Sequence, residues 1–184
     1  MIRLLEENYR KMEQIIRVLS ISDQWMTKKE LAKEIGSSES TFIHYIEEIK
    51  IRWGTKVTIE TSRKLGYRIE HFNAAIYLDV LMDMAQSSTN SQLLHEIIMN
   101  PGQTIEYYCE TLSISRSSFT RKLKRCNEIL ESYLLKIIVD QGFQLTSQKS
   151  EIQLRIFVTF FFLNFYGRHE LPYTIDKAVV KDIM

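Results

Sequence analysis

The sequence predicts a mainly α-helical chain with small β-hairpin wings, arranged as tandem winged helix-turn-helix domains. Three observations predict this. Only 6 Gly and 2 Pro occur among 184 residues, a shortage of turn formers that favours helices over a sandwich or barrel. Apolar residues at helical spacing form short stripes separated by Ser and Gly, the pattern of two short helices joined by a tight turn. The same pattern then returns in register further along the chain, the mark of a repeated module.

Ile2, Leu5, Tyr9, Met12, Ile16 and Leu19 step by three and four residues, predicting one long amphipathic helix that ends near Ser22 and Asp23, with Asp23 and Gln24 as the loop. Thr27 stands three residues before Glu30, the spacing of a capping box, and Leu31, Ala32 and Ile35 supply the apolar face of a second, short helix that stops at Gly36. Ser37 or Ser38 caps a third helix with the stripe Phe42, Ile46 and Ile49, ending near Gly54. Val57 and Ile59 alternate with polar residues, a Ser-Arg-Lys turn follows, and Gly66 precedes Tyr67 and Ile69; this predicts a hairpin wing carrying Arg63, Lys64 and Arg68.

A shift of 77 residues places Thr27 on Thr104, Leu31 on Tyr108, Ala32 on Cys109, Ile35 on Leu112, Ser40 on Ser117, Phe42 on Phe119 and Ile46 on Leu123. A shift of 76 places Gly66-Tyr67-Arg68-Ile69 on Gly142-Phe143-Gln144-Leu145, the return strand of a second, shorter wing. Between the modules Ala74 to Met84 reads as a helix, and Gln86 to Ser91 (QSSTNS) as the linker. Leu93, Leu94, Ile97 and Ile98 open the second module, and Asn100-Pro101-Gly102 closes its first helix. Ser150 starts a last, strongly apolar helix that Gly167 ends. Its three consecutive phenylalanines, Phe160 to Phe162, cannot share one face, so it either plugs between the modules or meets a partner. The expected domains are residues 1–71, residues 72–167 with the connecting and apolar helices, and residues 168–184 as the start of a missing or truncated regulatory domain.

Charge is distributed unevenly although the net is only +1. Between Thr111 and Asn127 stand Arg116, Arg121, Lys122, Lys124 and Arg125 with no Asp or Glu, a local +5. As a helix this stretch has an apolar stripe of Phe119, Leu123, Cys126 and Leu130, which leaves Ser117, Ser118, Arg121, Lys122 and Arg125 on the other side. Long cationic donors and short hydroxyls on a narrow helix suit the major groove. The equivalent helix of the first module offers Glu39, Ser40, Thr41, His44, Tyr45 and Glu48, and Lys50 and Arg52 against three glutamates leave residues 37–53 at −1. Candidate DNA-binding residues are therefore Arg116, Ser117, Ser118, Arg121, Lys122 and Arg125, with Ser40, Thr41, His44 and Tyr45, and Arg63 and Lys64 on the wing.

Cys109 and Cys126 have no CxxC spacing, and His44, His71, His95 and His169 form no metal-ligand pattern, so neither a metal nor another cofactor is expected. No Gly-rich phosphate loop, nucleophile motif or paired carboxylates suggest an enzyme. Charges interrupt the N-terminal apolar residues, and Ile152 to Tyr166, with 11 apolar residues in 15, is too short to span a bilayer, so the expected location is the cytoplasm, away from any membrane.

The stretch Trp25-Met26-Thr27-Lys28-Lys29-Glu30-Leu31-Ala32, the Ser-x-x-Thr-Phe run at Ser38 to Phe42 and SRSSFTRKLKRCN at Ser115 to Asn127 together resemble the N-terminal half of the Mga family of Gram-positive transcriptional regulators, relatives of the anthrax toxin activator. The resemblance covers about residues 5–165. It implies a cytoplasmic regulator, an activator of virulence or sugar-metabolism genes, that binds double-stranded DNA through both modules, the second commonly dominating. Family members continue into phosphotransferase-type regulatory and oligomerisation domains; a homodimer through segments beyond residue 150, or through such domains, is a second association to test. The competing readings are a protein-interaction module built on winged-helix surfaces and a relative of the phosphotransferase-regulated antiterminators and sugar-operon activators.

Overall fold

The computed structural model describes residues 2–22 and 24–167; Asp23, His169 and the expected start of a further domain at residues 168–184 lie outside the described residues. Helices α1 (Glu7–Ile21), α2 (Lys28–Glu34) and α3 (Glu39–Trp53) precede a hairpin of β1 (Thr58–Ser62) and β2 (Gly66–Glu70). Helices α4 (Ala74–Ser87) and α5 (Thr89–Met99) lead to α6 (Ile105–Thr111), α7 (Arg116–Leu130), the hairpin β3 (Leu135–Val139) and β4 (Phe143–Ser147), and α8 (Glu151–Tyr166). The repeat holds at the level of elements: α2, α3 and β1 fall on α6, α7 and β3 at a shift of 77.

Local chemistry accounts for the boundaries. Thr27 Oγ1 accepts from the Glu30 N–H and the Glu30 carboxylate accepts from the Thr27 N–H, so both orphan donors at the start of α2 are satisfied. Ser38 and Ser115 cap α3 and α7 in the same manner, each accepting from the N–H three residues on. Gly66 is required at the wing: a Cβ there would lie 2.1 Å from the Met26 carbonyl oxygen, because β2 exchanges hydrogen bonds with Met26 through Tyr67. Gly142 plays this part in the second module, where its Cβ would lie 2.0 Å from the Gly102 carbonyl oxygen. Tyr67 packs edge-on against Phe42 at 5.2 Å, and Phe143 against Phe119 at 5.0 Å. The first hairpin pairs Thr58 with Glu70 through Ser62 with Gly66, and the second pairs Leu135 with Ser147 through Val139 with Phe143, so the two wings are equally long and the second is not the shorter one that the sequence predicts.

Two elements of the chain also depart from the sequence expectation. The N-terminal helix is not continuous: Ile2–Leu4 is a 3-10 turn, and α1 begins only after Glu6 in extended conformation. The break lets two adjacent leucines serve different cores, Leu5 with the first module and Leu4 with the second. Nor is QSSTNS a linker. Ser88 ends α4 and caps α5, and Ser88, Asn90 and Ser91 are buried, their polar groups taken up in capping and in bonds to the N-terminal segment. Small polar residues look like a loop in sequence because they compete with helical backbone bonds; here that competition is used to turn one helix into the next.

Helix α4 itself serves both cores, Val80 and Met84 facing the first and Ala85 the second. It is joined to α1 by Tyr77, whose hydroxyl donates to the buried Glu13 carboxylate at 2.5 Å; burial first, and then this carboxylate, raise the Tyr77 pKa strongly. Helix α8 packs along α4 and against the second hairpin, burying Phe161, Phe162 and Phe165 while Phe160 stays 63% exposed. Thus α8 seals the second core and does not plug the space between the modules. Among the described residues no helix is long and apolar enough to cross a membrane.

Candidate nucleic-acid interface

The surface presented by α7 follows from its pitch. Phe119, Cys126, Ile129 and Leu130 are buried and Leu123 half-buried, which turns Arg116, Ser117, Thr120, Arg121, Lys124 and Glu128 outward along one ridge. Ser117 and Thr120 keep short hydroxyls on that ridge. Arg116 is ion-paired with Glu106 on α6. The Glu106 carboxyl lies below its ordinary range because its own N–H and the Thr104 hydroxyl stabilise the anion, with Arg116 adding to them. Among the described residues neither Arg121 nor Lys124 has a carboxylate within ion-pair distance. Ser118 is half-buried and its N–H is committed to the Ser115 cap.

Two of the expected cations are placed otherwise. The Lys122 side chain is only 14% exposed and turns inward, donating to Glu6 Oε1 at 3.0 Å and to Asn90 Oδ1 at 3.4 Å. One residue along a helix is a rotation of about 100°, enough to separate Lys122 from Arg121. Arg125 is half-buried and paired with Glu128 at 3.2 Å. Thr120 and Lys124 are ridge residues that the sequence pattern does not single out; stepping three and four residues from Ser117 through Arg121 reaches both.

In the first module the matching ridge of α3 is Ser40, Ile43, His44, Glu47 and Ile51. The ion pair at its start has reversed sign, Glu39 on α3 with Lys28 on α2 at 2.8 Å. Ser40, Thr41 and His44 are exposed, the Ser40 and Thr41 hydroxyls lying 2.9 Å and 2.8 Å from the Ser38 hydroxyl, and Tyr45 packs partly against the core and off the ridge. Tyr45 is thus half-buried and set apart from the ridge residues. Arg63 and Lys64 stand exposed at the wing tip, whereas Arg68 is held by Glu60 and Glu70 over the Trp25 ring. The tip of the second wing is Asp140, Gln141 and Gly142, with no cation. Cation-bearing surface is thus divided between the helix of one module and the wing of the other.

No group of three or more His, Cys, Asp or Glu among the described residues is placed to hold a metal ion. The two thiols are not bonded to each other, and burial pushes Cys126 up to about 12.

Against families of known proteins, residues 74–162 match the model of the Mga helix-turn-helix domain. The second module is thus similar to the Mga helix-turn-helix domain. The match runs from the first residue of α4 into α8 and so spans the connecting helix, the helix pair, the second wing and most of the apolar helix. A helix-turn-helix domain of this family indicates a DNA-binding regulator, and α7 is its second helix. No curated protein matches the chain. Among solved structures, ScpB from Mycobacterium tuberculosis matches at 13% identity over 81% of this chain and 96% of that one, with a TM-score of 0.30, too low to place the two in one fold.

Proposed function

We propose that the protein is a transcriptional regulator that binds duplex DNA with the α7 ridge in the major groove and the Arg63-Lys64 wing on a neighbouring phosphate run. The observation that carries this reading is the ridge itself: Ser117, Thr120, Arg121 and Lys124 face solvent side by side on a helix of an Mga-type domain, and Arg121 and Lys124 are not committed to a carboxylate within the described residues. Arginine there can donate two bonds to a guanine edge, and the hydroxyls and lysine can reach bases or phosphates. The α3 ridge, with Ile43, Glu47 and Ile51, is poorly suited to phosphate; its share is His44 and Ser40. The resemblance to Mga regulators supports an activating role at virulence or sugar-metabolism genes, a cytoplasmic location and a non-enzymatic function.

Retention on a pool of random duplexes across a salt series tests the proposal. Each phosphate that is no longer neutralised lowers the slope of log affinity against log salt by about 0.9. Arg121→Ala and Lys124→Ala together are expected to weaken binding to all duplexes and to flatten the slope by about 1 to 2. Equal slopes for the variant and the parent would overturn the assignment to α7. A second reading has its own observation: Ile152, Ile156, Phe160 and Leu163 form an exposed apolar row on α8, beside a groove of about 540 Å³ shared with α4. Such a face supports contact with a protein, a second copy included. Sedimentation of the chain across concentrations, with and without Phe160→Glu, separates self-association from a monomer.

A further inference from the structure

Lys122 sits at the centre of the ridge-bearing helix yet points away from solvent, and what it touches comes from separate parts of the chain. Glu6, in the extended residue between the N-terminal 3-10 turn and α1, accepts from Lys122 Nζ at 3.0 Å and from the Asn90 N–H at 3.0 Å through the same oxygen, Oε1. Asn90, in the first turn of α5, accepts from Lys122 through its side-chain oxygen and donates through its side-chain nitrogen to the Leu4 carbonyl at 3.0 Å. The Asn90 carbonyl lies 3.6 Å from Cys126 Sγ, one turn further along α7. Two residues before Glu6, the Leu4 side chain is 3% exposed within the second core, while Leu5 is buried in the first. The N-terminal segment is therefore threaded between the modules and bonded to the helix that carries the DNA-facing ridge, at a position 116 residues away in sequence.

From this geometry we infer that residues 4–6 form a strap that sets the position of α7 relative to the first module, with Lys122 and Glu6 as positioning residues and not DNA contacts. The inference rests on α7 being the DNA-facing helix. Its physical basis is that a half-buried ion pair sharing hydrogen bonds with a buried amide holds geometry in a way an exposed pair does not. Removing either partner leaves the other desolvated and uncompensated, so the two single substitutions should act alike. A site that needs both modules would then be bound less well although no DNA-touching group has been removed, because misplacing one reading element costs binding free energy without changing the phosphates neutralised.

Glu6→Gln, Lys122→Met and the double variant, each in the full chain, test this with two readouts. In the salt series, all three are expected to bind several-fold more weakly than the parent with an unchanged slope, the double variant being no worse than the worse single one. A Lys122→Met slope lower by about 0.9, in the presence and absence of Glu6, would instead make Lys122 a phosphate contact and overturn the inference. The second readout needs no DNA. Both tryptophans, Trp25 and Trp53, belong to the first module. Tryptophan emission therefore reports that module alone during denaturant unfolding, whereas helical circular dichroism reports both. The two curves are expected to coincide for the parent and to separate for the single variants. Coincident curves for every variant, with binding unchanged, would remove the strap. Separation of the curves without any DNA retention by the parent would uphold the strap and reject the DNA-facing role of α7.

Discussion

The Arg116 guanidinium shows how one neighbouring carboxylate alters what a residue has to offer. It lies on the ridge with Arg121 and Lys124 but is already paired with Glu106, itself held ionised by its own N–H and the Thr104 hydroxyl. Binding a phosphate at Arg116 means exchanging one anion for another, so its net contribution is smaller than that of an unpaired cation. Glu106→Gln should release it, and because exposed ion pairs are weak, the expected gain in DNA affinity is only about two- to fivefold, read by titration of a labelled duplex at fixed salt. Weaker binding by the variant would show that Glu106 serves to orient Arg116 and not to compete for it. The outward placement of Arg121 and Ser117 is legible from sequence, since helical phase depends only on the residues of the helix itself. The inward turn of Lys122 is not, because its partners, Glu6 and Asn90, lie on other elements and no local period reports them. Lys124 escapes notice for the converse reason: it has the right phase, and nothing in its own spacing marks it among five neighbouring cations.

Elements are the most legible level. Capping residues Thr27, Ser38 and Ser150 all stand where the spacing to the following apolar stripe puts them, and the two hairpins begin and end at their turn residues. Comparing the repeats also exposes a local conflict. The turn between α2 and α3 reaches the left-handed region at Gly36, φ +60°, whereas the equivalent position between α6 and α7 is Ser113 at φ +52°. A side chain in that conformation costs about 1 kcal/mol, which glycine would avoid. Ser113→Gly is accordingly expected to raise the stability of the second module by about 0.5 to 1 kcal/mol, a rise in melting temperature of about 2 °C by calorimetry, since the backbone there already has the shape glycine prefers. A fall would mean that the exposed Ser113 side chain supports the turn in a manner its backbone does not reveal. The same logic explains why the QSSTNS stretch resembles a linker: sequence reports that Ser88 and Asn90 will bond to backbone, but only the tertiary structure decides that the backbone in question belongs to α5 and to Leu4.

At the scale of the whole molecule, two modules that are copies of one plan behave as one body only if something other than the plan joins them. The shared elements are α4, with residues in both cores, and the N-terminal segment with Leu4 in one core, Leu5 in the other and Glu6 beside them. This joint carries a titratable group, so it should depend on pH. Burial acts to raise the Glu6 carboxyl, but the Ser88 hydroxyl, the Lys122 ammonium and the Asn90 N–H outweigh it, and the pKa in the folded chain lies below the ordinary 4.5. A carboxyl whose folded value is depressed binds fewer protons when native than when unfolded between the two values. Its contribution is therefore complete above about pH 5 and is lost as pH falls through about 4.5 and then through the lower folded value. Other carboxylates titrate in this window too, so the quantity to measure is the difference in melting temperature between the parent and Glu6→Gln. That difference is expected to be constant from neutral pH down to about 5 and to shrink as the solution is made more acidic. A difference that grows on acidification would mean that the folded environment favours the protonated acid, and the anion would then not be what holds Lys122 inward.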